Sequence, residues 1–359
     1  MDVFAISTVP VKALINLRME RMKKVASRYG VVMTVSAILA TALFAAVLFC
    51  GTVDIKAADV AAVLFGNASD DVSRMIVMDV RFPMAVTAFM AGMALAVSGL
   101  LMQTVFGNPL AGPSVLGIST GASLGVAVVM LGLGGWLGSG LGYYAGILTG
   151  AFAGASAVMG LLLLFSLLVR GNAMLLIVGI LIGYLASSAI SLLNFFSTQQ
   201  GVHSYVIWGM GNFGGLTWER VIVFGALCAA GVAVAVMFVK PLNALLLGRR
   251  YAESMGVNVR RTRNCLLMIS GGLAAVATAF CGPIGFLGLV MPHVARFATG
   301  TSNHTRLLPA TAVAGGAGAL LCLWLSVVCG GGQIIPINAI TPVIAVPIII
   351  YVIVRGKKL

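Results

Sequence analysis

Charge is the scarcest commodity in this chain. Only 9% of its 359 residues are Asp, Glu, Lys or Arg, against about 25% in a soluble domain. So few charges cannot keep a water-facing surface soluble, so the apolar segments face lipid or one another. No acid or base stands near the middle of any long apolar run. That removes the intramembrane charge on which ion- and proton-coupled carriers depend. A G-x-x-x-x-G-K-[ST] loop is also missing, and the one Gly-Lys pair is Gly356-Lys357 in the tail. The chain is therefore not its own P-loop ATPase. The six cysteines include no C-x-x-C pair and read as small apolar fillers rather than a disulfide framework. The three histidines, His203, His293 and His304, are far apart and show no metal-ligand spacing. No metal and no cofactor is expected in this chain. His203 alone sits in a loop that could meet an incoming ligand.

What is abundant is hydrophobic length. Apolar runs cover 29–50, 83–103, 114–134, 143–169, 174–194, 219–239, 264–282, 285–299, 307–329 and 338–354. A spanning helix needs roughly 20 such residues. The reading is an all-α polytopic membrane protein of about ten transmembrane helices. The run 285–299 is short for a full crossing and predicts a partial or tilted helix. The first run is too long for the apolar core of a signal peptide, which has about 7–15 residues.

A net charge of +13 raises the question of nucleic acid, but its placement argues against that. With the N-terminus in the cytoplasm, all but four of the 22 cations (Lys56, Arg74, Arg81 and Arg220) fall in inside segments. That is the positive-inside bias, and it puts both termini in the cytoplasm. Six of the nine acids lie outside. The chain then divides into a cytoplasmic segment 1–28, one transmembrane domain 29–354 and a tail 355–359.

Four connections exceed simple turns: 51–82 and 195–218 outside, 104–113 and 240–263 inside. The segment 240–263 is rich in arginine, with apolar Leu242, Leu245 and Leu246, and again Ala252 and Met255. Gly248 and Gly256 end or bend short helices there. Two short amphipathic helices in this place either lie on the lipid or dock into a partner's groove. Ser187, Ser191 and Asn194 recur at helical spacing with Ser188 beside them, so they share one face. Such a stripe either lines a water-filled path or bonds a neighbouring helix. Gly146, Gly150 and Gly154, like Gly92, Ala96 and Gly99, form small-residue faces for close helix packing. Residues 92–110 faintly echo 272–289, as an inverted repeat would.

Several blocks carry a resemblance. Arg81-Phe82-Pro83, Gly92 to Gly99, Gln103, Asn108-Pro109-Leu110-Ala111, Pro113, Leu116-Gly117 and Gly121-Ala122 resemble the FecCD family. These are the permeases of type II ABC importers for iron–siderophores, haem and vitamin B12. Trp208-Gly209-Met210-Gly211, Phe213-Gly214-Gly215, Gly282 to Leu289, Pro292-His293, Arg296, Leu308-Pro309 and Pro336-Ile337 match later blocks. The resemblance implies a type II ABC importer permease fold and a non-catalytic homodimer in the bacterial inner membrane. Two ABC subunits would carry ATP and Mg on the cytoplasmic side, and an extracytoplasmic binding protein would deliver cargo. It places ATPase coupling on Leu245, Gly248, Arg249, Arg250, Ala252, Glu253, Met255 and Gly256. It places a cytoplasmic gate at Gly171, Asn172 and Ala173, and the path along Ser187, Ser188, Ser191 and Asn194. Arg74 and Arg81 would pair with acids of the binding protein. Two positions depart from the pattern: R-x-P-R ends here on Met84, and Arg249 and Arg250 stand where an acid often follows the glycine. The rival reading is an ion-coupled secondary transporter or channel, which the absent intramembrane charge disfavours.

Overall fold

The computed structural model describes residues 11–66, 70–133, 141–169 and 171–356. Residues 1–10 and 357–359, parts of the two predicted cytoplasmic ends, lie outside the described residues. Those described are all-helical, without strands, and each apolar run has a helix over most of its described residues. In chain order we label α1 Val11–Phe49, α2 Ala57–Leu64, α3 Asp71–Phe106 and α4 Ile118–Gly132. Then come α5 Leu141–Leu168, α6 Asn172–Phe196, α7 Gln199–Gly209, α8 Trp218–Met237 and α9 Val239–Leu246. Last are α10 Arg249–Ser254, α11 Val259–Cys281, α12 Leu287–Thr299, α13 His304–Val328 and α14 Ile337–Gly356.

Seven of these (α1, α3, α5, α6, α8, α11 and α13) contain stretches long and apolar enough to cross a membrane. Helices α4 and α14 are shorter apolar helices. The 13 residues of α12 rise only about 20 Å, short of a hydrocarbon core of about 30 Å, as the short eighth run predicts.

Helix α3 is the axis of the bundle. Its apolar window is 78% buried, against 67% for α11 and 61% for α13. It packs on α13, α11, α8 and α12, while α4 lies against α5. Backbones meet closely because the contact residues are glycines. A Cβ on Gly99 would collide with the Gly288 carbonyl of α12, and one on Gly92 with the Gly315 carbonyl of α13. Gly150 and Gly154 of α5 meet Gly125 and Gly121 of α4 in the same way. The glycine faces therefore serve packing, and lipid supplies no hydrophobic drive to replace such contacts. Ser98 and Ser270 join α3 to α11 reciprocally: each hydroxyl donates to the other's carbonyl, at 2.8 and 3.0 Å. The partner pattern also recurs in the two halves. Helix α4 packs on α5 and α12 on α13, while α3 packs on α13 and α11 on α5.

The long connections are structured. The segment 51–82 holds α2 and the first twelve residues of α3, including a π-turn at Ile76–Arg81. Asp70 opens α3 by accepting from the amides of Val72 and Ser73. The Ser73 hydroxyl, at 2.7 Å, holds the Asp70 carboxyl below its ordinary value. Gly107, at φ 57, closes α3 in the left-handed region. Inside, Arg28 of α1 donates to the carbonyls of Ala298 and Phe297 at 2.7 and 2.8 Å, capping the C-terminus of α12.

Candidate functional site

The segment 240–263 forms the two short helices expected, α9 and α10, with Gly248 between them at φ 99 and Gly256 beyond them at φ 83. Leu242 and Ala244 of α9 and Ala252 of α10 are buried. Met255 is 60% exposed, so it does not share an apolar face with Ala252 as the sequence pattern suggests. Helix α10 ends at Ser254, so Met255 lies past its last turn and stays uncovered while Ala252 is buried. Leu246, Leu247, Tyr251 and Met255 instead make an uncovered apolar patch, beside Arg249 and Arg250. The Arg249 Nε donates to Glu253 Oε1 at 2.9 Å across one exposed helical turn. Such a pair contributes only about 0.3–0.5 kcal/mol, so these charges do little for the fold itself.

Helix α9 is tied into the bundle by a polar chain that sequence spacing did not reveal. Asn243 donates to Asn303 Oδ1 at 3.0 Å and accepts from the His304 amide at 2.8 Å. The His304 ring in turn meets Thr104 Oγ1 of α3 at 2.8 Å. His293 meets the Pro109 carbonyl at 2.7 Å. Both histidines are thus internal struts, and His203 of α7 is exposed.

Gly171 precedes α6 with φ 118, a conformation an L side chain rarely adopts. The Asn172 side chain lies outside the described residues, and Ala173 is exposed. Gly171 of the predicted gate lines one cavity, of about 640 Å³, with Leu245, Gly248 and Arg249 of the predicted coupling segment.

Helix α6 is the least covered span, with 17% of its apolar window buried. Ser187, Ser188 and Ser191 are exposed on it and Asn194 is half-buried. Ser191 donates to the Ser187 carbonyl at 3.0 Å, within its own helix, and Asn194 Oδ1 is buried with no partner among the described residues. Of the two readings of this stripe, bonding to a neighbouring helix of the same chain finds no support among the described residues. Tyr184, Leu185, Leu192, Phe195 and Phe196 flank the serines and are exposed as well. The inner side of α6 is held by glycine: Gly117, at φ 76, meets the backbone of Gly179 and Gly183.

Arg81, expected on a docking surface, is internal instead. Arg81 is 2% exposed. Its guanidinium donates to the carbonyls of Leu48, Phe49 and Val53 at 2.8, 3.3 and 2.6 Å, closing the C-terminal end of α1. Gly51 leaves room for it, since a Cβ there would strike the guanidinium. Arg81 is therefore an internal clamp and cannot reach a docked protein. Its place at the end of an apolar run, next to Pro83, looked like a surface position because the carbonyls it serves come from another helix. Arg74 is exposed, near exposed Val72 and Met75. Met84, at the departing family position, is buried.

Asn338 is a second residue the sequence reading passed over. It donates to the carbonyls of Gly209 and Pro283 at 3.2 and 2.5 Å and accepts from the Gly285 amide at 3.1 Å. One amide thus joins α7, the 282–286 loop and α14. Tyr205 of α7 donates to the Ser123 carbonyl at 3.4 Å, and burial pushes its phenol up to about 12.

Residues 38–355 match the FecCD transport family. The chain belongs to that family. The permease is 33% identical over 285 residues to the vitamin B12 import system permease protein BtuC of Citrobacter koseri, covering 79% of this chain and 84% of that one. It is 33% identical over the same length to BtuC of Salmonella typhi, covering 85% of that protein. Among solved structures it is similar to a metal-chelate type ABC transporter in an inward-facing conformation. The TM-score is 0.78 at 27% identity, over 91% of this chain and 99% of the other. PsaBC from Streptococcus pneumoniae, at a TM-score of 0.53 and 15% identity, shares the fold alone.

The permease is accordingly the membrane subunit of an ABC importer, multi-pass in a bacterial inner membrane, in a family of non-catalytic subunits. Family membership implies separate ATPase subunits and a substrate-binding protein, and it displaces the secondary-carrier reading.

Proposed function

We propose that the permease works as a homodimer that moves a bulky metal chelate, with a corrinoid the favoured cargo, along a path between the two copies of α6. The uncovered serine face of α6 carries this reading. Three hydroxyl-bearing residues exposed at membrane depth are poorly placed against lipid, where polar groups lack partners. Against a second copy they line a wet path, with Tyr184 and Phe195 beside them for contact with an apolar macrocycle. In this reading, closure of the ATPase subunits pushes on α9 and α10. The Asn243–His304–Thr104 chain passes that push to α3 and α13, and the cavity at Gly171 opens or closes with it. Cargo crosses without forming a covalent bond to the protein. The BtuC relatives favour a corrinoid over an iron chelate, while the metal-chelate transporter keeps the second on the test.

The experiment is uptake into proteoliposomes holding the permease with its ATPase and binding protein, fed labelled cobalamin or a labelled ferric siderophore. Saturable, ATP-dependent accumulation of cobalamin is expected, with Ser187→Leu/Ser191→Leu lowering it by about tenfold or more, as a blocked path demands. Uptake of the ferric siderophore alone would reject the corrinoid. Full transport by the double variant would move the path away from α6.

A further inference from the structure

The cavity beneath the gate has a chemistry that transport of a chelate does not explain. It is bounded by the inner ends of α3, α5 and α6, by Gly248 and Arg249 at the start of α10, and by the first turns of α11. Arg249, Arg260 and Arg263 all line it, and no acid does among the described residues. Arg249 is engaged with Glu253. Arg260 is exposed and has no partner among the described residues. Arg263 is only 9% exposed. Its Nη2 donates to the Ser166 carbonyl and hydroxyl at 2.9 and 2.6 Å, and Ser166 Oγ continues to Asn264 Oδ1 at 2.9 Å. Those bonds hold the guanidinium at the cavity wall. Its Nε is buried with no partner among the described residues.

Three like charges in one enclosure repel one another, and a buried guanidinium with unused donors is costly. Helix ends do not settle the matter, because the cavity meets the N-terminal turns of α6 and α11 but also the C-terminal turns of α3 and α5, whose dipoles oppose. The guanidinium groups therefore decide the sign. A tetrahedral oxyanion fits them, since arginine donors match phosphate oxygens geometrically, and about 640 Å³ is ample for one with a substituent attached.

We propose that this cavity is a binding site for a phosphate-class oxyanion, held by Arg260 and Arg263. The phosphate comes either from the headgroup of an anionic lipid or from a free phosphate in the cytoplasm. The proposal does not depend on which cargo is carried. Because Gly171 and Arg249 share the cavity, a bound anion bridges the gate and the coupling segment and stabilises the arrangement in which they are close. The site thus adds an anion requirement to the gate.

The test uses the assembled permease–ATPase complex, in nanodiscs of phosphatidylcholine with or without cardiolipin, and separately with inorganic phosphate at constant ionic strength. Lipid retention is read by native mass spectrometry and stability by thermal unfolding. One of the two probes is expected to bind and to raise the unfolding temperature, with chloride at equal ionic strength giving no rise. Arg260→Gln, an exposed site that leaves the fold intact, should weaken that binding about tenfold, the loss of one charge-assisted hydrogen bond. Arg263→Lys, which keeps charge but not the fork, should weaken it as well. Cardiolipin binding that inorganic phosphate fails to displace assigns the lipid headgroup. Phosphate binding without lipid selectivity assigns the free anion. Binding of neither probe, or binding unchanged in both variants, overturns the site.

Discussion

Gly99→Val yields no folded permease. Gly99 lies where α3 crosses α12, and even a methyl group there meets the Gly288 carbonyl, which is backbone and cannot rotate aside. Separating the two helices also lifts α3 from its contacts with α11 and α13, which hold its Leu100, Leu101 and Met102 buried. Overpacking a core usually costs about 1–3 kcal/mol. A clash between two backbones at the centre of a bundle belongs to the rare class above about 4 kcal/mol. The check is the yield of monodisperse protein by size-exclusion chromatography in detergent, where aggregate alone is expected. Gly272→Ala is the control, because nothing lies within 4 Å of its Cβ position, and it should elute as the wild type does. A monodisperse Gly99→Val with wild-type thermal stability would show that α3 and α12 do not meet as described.

Arg81→Ala carries the second large effect. The substitution leaves the carbonyls of Leu48, Phe49 and Val53 without their donor; the Leu48 carbonyl is buried, and a buried unpaired group costs about 1–3 kcal/mol. It also empties the space that Gly51 leaves for the guanidinium. The expected result is a fall in thermal stability of several degrees or more, with the linker between α1 and α2 becoming protease-sensitive. Affinity for the binding protein, measured on whatever fraction folds, should stay unchanged at low salt. A stable Arg81→Ala that loses binding-protein affinity would return this arginine to the docking surface.

The sequence made the helices legible because lipid enforces one rule, about 20 apolar residues per crossing, and the run 285–299 betrayed its shortness for the same reason. The two short helices of 240–263 were legible from Gly248 and Gly256, whose positive φ values, 99 and 83, end α9 and α10. Arg81, Asn243 and Asn338 were not legible. Each serves carbonyls or side chains that lie far off in the chain, such as Leu48, His304 and Pro283, and no local pattern marks such a partner. The same reason hid the cavity that joins Gly171 to Arg249. The serine stripe on α6 was visible as a stripe, but its exposure, on a helix whose apolar window is 17% buried, was not.

No acid or base stands near the middle of any long apolar run, so the bundle has no charge with which to harness an ion gradient and a partner ATPase must move it. The most direct test places the permease, its binding protein and its ATPase in sealed proteoliposomes and measures the initial rate of cargo uptake. Internal ATP with every ion gradient collapsed should sustain the full rate, and an ATPase subunit lacking its P-loop lysine should abolish it. Full-rate uptake driven by an imposed proton or sodium gradient, with that inactive ATPase in place, would contradict the account.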